Sequence, residues 1–257
     1  MSWRHAPVRP ATSKYAAPQV TGPGGAAVAD QHSRVIAEAA SAALSPLGLV
    51  RKGRSRIWLD DQSWWLGVAE FKPSNWKPGA YLNVGLMFLW HPVDRYIFEI
   101  GGQVEGFSPA DSTDFVQAVQ AKAERAAQEI GKLRAGLRSA DDVIRYYAQA
   151  SGRTSIYGQV NLATALALAG NMDHCRRALD RALRQRDRAP VNLKDAFAWL
   201  LAAREAAEDT AGFRSWVMAA TQRTRQGLRL PDGFTLPQVP DAPGRCRTTF
   251  PGYPAPR

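Results

Sequence analysis

Lys72, Ser74, Trp76 and Asn83 fall within the single stretch VAEFKPSNWKPGAYLNVG, from Val68 to Gly85. A cation, a hydroxyl, an indole and an amide form the kind of set with which a surface grips a partner. The aromatic ring anchors, and the polar groups fix orientation. Pro73, Ser74, Asn75, Lys77, Pro78 and Gly79 are equally what an irregular hairpin loop needs, because proline fixes the backbone while Ser and Asn hydrogen-bond locally. Trp76 is the residue that turn chemistry does not call for. Binding site and plain hairpin both stand at this point.

Catalytic patterns are thin elsewhere. Glu70 and Glu99 are expected on neighbouring strands, where two carboxylates side by side would suit acid–base work, but no nucleophile or oxyanion-donor motif accompanies them. His5, His32, His91 and His174 are scattered without the spacing of metal ligands. His174 and Cys175 are adjacent, and on a helix adjacent side chains point about 100° apart, so they cannot form a thiol–imidazole pair. No glycine-rich phosphate loop is present. The residues assign no catalytic role, no metal and no cofactor. Arg177, Arg181, Arg184 and Arg188 recur on one helical stripe opposite Cys175, Ala178, Leu179 and Ala182. That stripe is either a solvated face or a docking strip whose guanidinium forks match phosphate or carboxylate.

These residues belong to a chain of 257 with a formal net charge of +10, which attracts phosphate or acidic protein at long range without dictating a fold. Two cysteines make no disulfide framework, and a reducing, cytoplasmic setting fits them. The N-terminal stretch lacks the apolar run of a secretory signal, and no segment is apolar for long enough to insert in a membrane.

The elements that must position the candidates follow from periodicity. Residues 1–30, rich in Pro, Gly and Ala, read as a disordered arm, and 231–257 as a proline-rich tail whose Phe234, Leu236, Phe250 and Tyr253 are able to dock. Between them, 31–110 reads as an α+β domain. A helix begins near Asp30 and stops before Pro46, and an antiparallel meander follows it. Its turn is expected at Asp60 and Asp61, with Leu66, Val68 and Glu70 opposed to Trp65, Gly67, Ala69 and Phe71. A next strand places Leu82, Val84, Leu86, Phe88 and Trp90 on its core face, and RYIFEIGG, 95–102, is expected to be the last. Residues 111–138 predict one long helix with a seam of Val116, Val119, Ala123, Ala126, Ile130, Leu133 and Leu137, breaking near Gly136. Residues 139–230 predict an all-α stack of helical hairpins.

Two stretches are similar to known families. In NLATALALAGNMDHCRRALDRAL, Leu162, Ala163, Leu166, Gly170, Cys175, Leu179 and Ala182 resemble the spacing of one tetratricopeptide-like repeat. LSPLGLVRKGRSRIWL, VAEFKPSNW and AYLNVGL, over about 34–105, resemble a bacterial family known as domain of unknown function 4304, with Leu49 and Lys72 departing from its pattern. That resemblance implies the helix-then-sheet order and imports no activity. The expectation is a binding protein rather than an enzyme, with a protein partner as an adaptor or an inhibitor of a toxin-like protein. Nucleic acid, through the Arg stripe, the segment from Arg51 to Arg56 and Trp76, is the alternative, and an enzyme holding Glu70, Glu99 and Asn83 in one pocket is the third reading.

Overall fold

The computed structural model describes residues 23–73, 80–91, 93–107, 112–149, 156–184 and 194–237. The chain runs α1 (Pro23–Leu44), a 3-10 turn (Ser45–Leu47), and strands β1 (Val50–Arg51), β2 (Ile57–Asp61), β3 (Trp65–Pro73), β4 (Ala80–Phe88) and β5 (Ile100–Phe107). Helices α2 (Ser112–Gly136), α3 (Ala140–Gln149), α4 (Ile156–Leu168), α5 (Met172–Leu183), α6 (Lys194–Ala206) and α7 (Thr210–Leu228) follow. The sheet is an antiparallel meander in the order β1-β2-β3-β4-β5, and the fold is α+β with a helical C-terminal part.

Strand alternation sorts the sheet into two faces. Trp58, Ala69, Phe71, Leu82 and Val84 point to one face, which α1 covers with Ile36, Ala40 and Leu44 and α2 with Phe115, Val119, Ala123, Ala126 and Ile130. Leu66, Val68, Met87 and Leu89 point to the other. Tyr96, Ile97 and Phe98 close over them, together with Leu228 and Leu230 from the end of α7. At one end of the first face, Trp64, Phe88 and Trp90 stack with ring centroids 4.7–6.0 Å apart and meet the helical layer. Burying side chains of this size, at about 25 cal/mol per Å², makes that junction a main part of the core.

The facing of β3 and of β4 agrees with their alternation. Four boundaries differ. α1 starts at Pro23, inside the stretch 1–30 expected as an arm: proline is tolerated in the first turn of a helix, and Ala26, Ala27 and Ala29 favour helix. Asp60 and Asp61 end β2 instead of turning; the turn is Gln62–Trp64, with Ser63 at φ +69°. The last strand begins at Ile100, not at Arg95, and its paired glycines are inside it. Gly101 has φ +90°, and a Cβ there would lie 2.4 Å from the carbonyl oxygen of Val84, so only glycine lets β5 approach β4 so closely. Phe115, not Val116, opens the seam of α2, and Val116 faces solvent. The seam otherwise runs through Val119, Ala123, Ala126, Ile130 and Leu133, and α2 ends at Gly136 as expected. In the stretch from residue 231 on, Leu236 is buried and Phe234 packs beside it, while Phe250 and Tyr253 lie outside the described residues.

Candidate functional site

The end of the sheet that carries Lys72 is where the sequence candidates meet the structure. Lys72, near the end of β3, is exposed and pairs in register with Tyr81. Asn83 pairs with Glu70 across β3 and β4, and its amide Nδ2 donates to Glu70 Oε2 at 2.8 Å. This internal bond holds Asn83 to the sheet. Ser74 and Trp76 lie outside the described residues.

The same end carries the β1–β2 hairpin, which sequence reasoning named only as a basic segment. Lys52 N donates to Ile57 O at 2.9 Å, Ser55 N donates to Lys52 O at 3.0 Å, and Gly53 adopts φ +53°, so the chain reverses sharply over 52–56. Register extends the β2–β3 ladder so that Arg56 O accepts from Phe71 N at 2.9 Å. Lys72 therefore stands beside Ser55 on the neighbouring strand. Arg51 donates from Nε to Ser55 O at 2.7 Å and from its terminal nitrogen to Arg54 O at 3.1 Å, and its guanidinium lies 5.4 Å from the Trp58 ring. On the opposite side Lys52 Nζ lies 4.3 Å from the Tyr96 ring centroid. Arg56 donates to Ser33 Oγ on α1 at 2.7 Å, and burial lowers its pKa. Val50, 68% exposed, precedes these cations on β1.

Glu99 sits elsewhere. Its backbone N donates to Leu86 O at 2.8 Å, and its carboxylate accepts from Phe88 N and, at 2.8 Å, from Asn161 Nδ2 on α4. Leu86 is three residues beyond Asn83 on β4, which places Glu99 about 10 Å along the strand from Glu70. The carboxylates are not side by side, and the pocket of Glu70, Glu99 and Asn83 does not form.

Glu99 instead belongs to a buried polar junction that the sequence did not signal. Asn161 Oδ1 accepts from Trp90 Nε1 at 2.8 Å, and its Nδ2 also donates to Tyr147 OH on α3 at 3.0 Å. His91 Nδ1 lies 2.9 Å from Glu99 Oε1, off the line of the ring N–H, and His91 is 1% exposed between the rings of Tyr157 and Trp199. Thr224 on α7 donates its hydroxyl to the His91 carbonyl. Burial, and then the nearby Glu99 charge, push the Tyr147 phenol well above its usual range. The cluster ties the end of β4 to α3, α4 and α7. Asn161 was hidden inside an apolar helical run, and only the tertiary partner reveals its use.

Two further joints flank the turn of β2. Arg134 of α2 clamps Asp60 at 2.9 and 2.6 Å and also donates to Leu47 O at 2.7 Å. Arg225 of α7 clamps Asp61 at 2.8 and 2.6 Å and donates to Ser63 O and Pro231 O at 2.9 and 2.8 Å.

In the helical part, α4 and α5 form the hairpin predicted for the repeat-like stretch. Leu162, Ala163, Leu166, Cys175, Leu179 and Ala182 are buried, and Gly170 turns the chain at φ +82°. Burial, opposed by Arg176 and Arg204, pushes the Cys175 thiol up to about 12, which makes it a packing residue. Burial and then Arg177 lower the pKa of His174. Arg177, Arg181 and Arg184 are exposed on the predicted stripe, and Arg188 lies outside the described residues. Among the described residues no cluster of three or more His, Cys, Asp or Glu is arranged to hold a metal ion, and no helix is long and apolar enough to cross a membrane. No family model, no curated protein and no solved structure matches the chain.

Proposed function

We propose that the protein is a binding protein without an active site, whose partner is another protein and which acts as an adaptor or as an inhibitor of a toxin-like protein. The observation that carries this reading is the sheet end. There Val50 faces solvent beside Arg51, Lys52 and Arg54, a mixture of apolar surface and charge that suits a protein interface. The acid–base groups are engaged internally: Glu70 accepts from Asn83, and Glu99 joins Asn161 and His91 in the buried junction. Nucleic acid is the second reading, favoured by the same cations.

A pull-down from lysate of the source organism, with and without nuclease, tests the two. The binding reading predicts a protein retained at stoichiometric amounts after nuclease. Recovery of nucleic acid alone, lost steeply as salt rises, would replace it with the second reading.

A further inference from the structure

We propose that the β1–β2 hairpin is a two-sided cationic finger that inserts into an acidic cleft of the protein partner; the inference rests on the binding reading above. Three observations carry it.

The first is charge balance. Several cations of the described helices face a carboxylate of their own. Arg125 and Lys132 pair with Glu129, Arg145 with Asp142, Arg176 with Asp173, and Arg204 with Asp180 and Glu208. Arg51, Lys52, Arg54 and Arg56 have no carboxylate within ion-pair distance among the described residues, nor does Lys72 beside them. Arg51 bonds to backbone carbonyls and Arg56 to Ser33 instead. The α5 stripe is the weaker candidate, since Asp173 and Asp180 interrupt its charge. Four cations without a carboxylate partner among the described residues thus fall within six consecutive positions, 51–56.

The second is shape. Strand alternation sends Arg51 to the face of Trp58 and Lys52 to the face of Tyr96, while Arg54 projects at the tip. Cations on both sides of a narrow ribbon are matched by carboxylates on both walls of a cleft. The third is order. Arg51 is held by two carbonyls and an indole, and Lys52 rests on a phenol ring, so less rotamer freedom is lost when they meet a partner. Val50 at the base of the finger favours protein over nucleic acid, because an apolar rim gains nothing against phosphates.

The test uses the full chain and the partner retained after nuclease. A zero-length carbodiimide coupling of amines to carboxylates is followed by peptide mass spectrometry, and the affinity of a Lys52→Glu/Arg54→Glu variant is measured at two salt concentrations. The expected result is a cross-link from Lys52 to a cluster of Asp and Glu in the partner. The variant should also lose affinity by about tenfold or more, chiefly in association rate. Among the described residues neither makes an ion pair, and Lys52 gives up only its contact with the Tyr96 ring, so a thermal midpoint within about 4 °C of the parent certifies the fold of the variant. A partner whose cross-links run only from Lys122 or Lys132, with the double variant binding as tightly as the parent, overturns the finger and leaves the binding reading standing. Retention of nucleic acid with no protein overturns both.

Discussion

The Asp61–Arg225 joint makes an asymmetric prediction. Arg225 is 2% exposed, whereas the side chain of Asp61 keeps 28% of its surface in solvent. Asp61→Asn leaves a buried guanidinium without its counter-charge. Breaking a buried pair in that way costs about 3–5 kcal/mol. Arg225→Met leaves a carboxylate that water already reaches, and the carbonyls of Ser63 and Pro231 each lose one donor, so the loss is about 2 kcal/mol. The unbranched Met retains contact with Phe234, over which the guanidinium now lies at 5.5 Å. The double variant Asp61→Asn/Arg225→Met should return close to Arg225→Met alone, since removing the buried charge removes the main penalty. Thermal unfolding followed by circular dichroism reads this directly. With roughly 2–4 °C per kcal/mol for a chain of this size, Asp61→Asn should lower the midpoint by about 6–20 °C and Arg225→Met by about 4–8 °C. If Arg225→Met proves the more damaging, or the double variant is worse than either single one, the burial argument is wrong.

Three further outcomes follow from the geometry. Gly101→Ala should cost about 2–5 kcal/mol in urea unfolding, from the left-handed φ and from the contact with Val84 O, whereas Gly102→Ala, with open space at its Cβ, should cost about 1–2 kcal/mol. In a Cys246→Ser background, Cys175 should resist iodoacetamide at pH 8, where a thiol of pKa about 12 is about one part in ten thousand thiolate, and should react at an ordinary rate once urea unfolds the chain. The Tyr147 phenol titrates higher folded than unfolded. Its contribution to stability is therefore complete below the unfolded value, about 10, and is lost as pH rises beyond it. Tyr147→Phe should flatten the alkaline fall of the thermal midpoint between pH 9.5 and 11 by a measurable part, and an unchanged slope would remove Tyr147 from the account.

What was legible in the chain was what local periodicity encodes. The two faces of β3, the core face of β4, the end of α2 near Gly136 and the α4–α5 hairpin all follow from spacings within a few residues. Misplacing β5 has a local cause as well: paired glycines usually end a strand, but here they admit the close approach of Val84 and Gly85. What escaped was set by distance along the chain. Asp60 and Asp61 look like turn residues until Arg134 and Arg225 arrive from 74 and 164 positions away. Asn161 looks out of place in an apolar helix until Trp90, Glu99 and Tyr147 surround it. The candidate loop was half legible, since Lys72 does stand on an exposed sheet end, while Asn83 is engaged by Glu70.

The reach from Asp61 to Arg225 also bears on how the protein is made. The sheet leaves the ribosome early, but Leu228, Leu230 and Arg225, which cover one of its faces, are among the later residues described. At 5–20 residues per second, the 164 residues between Asp61 and Arg225 take about 8–30 s to appear. During that interval Leu66, Val68, Met87 and Leu89 lack their α7 cover on a nascent sheet whose opposite face is already able to close with α2. Slowing translation should therefore lower the soluble yield more than slowing refolding of the finished chain.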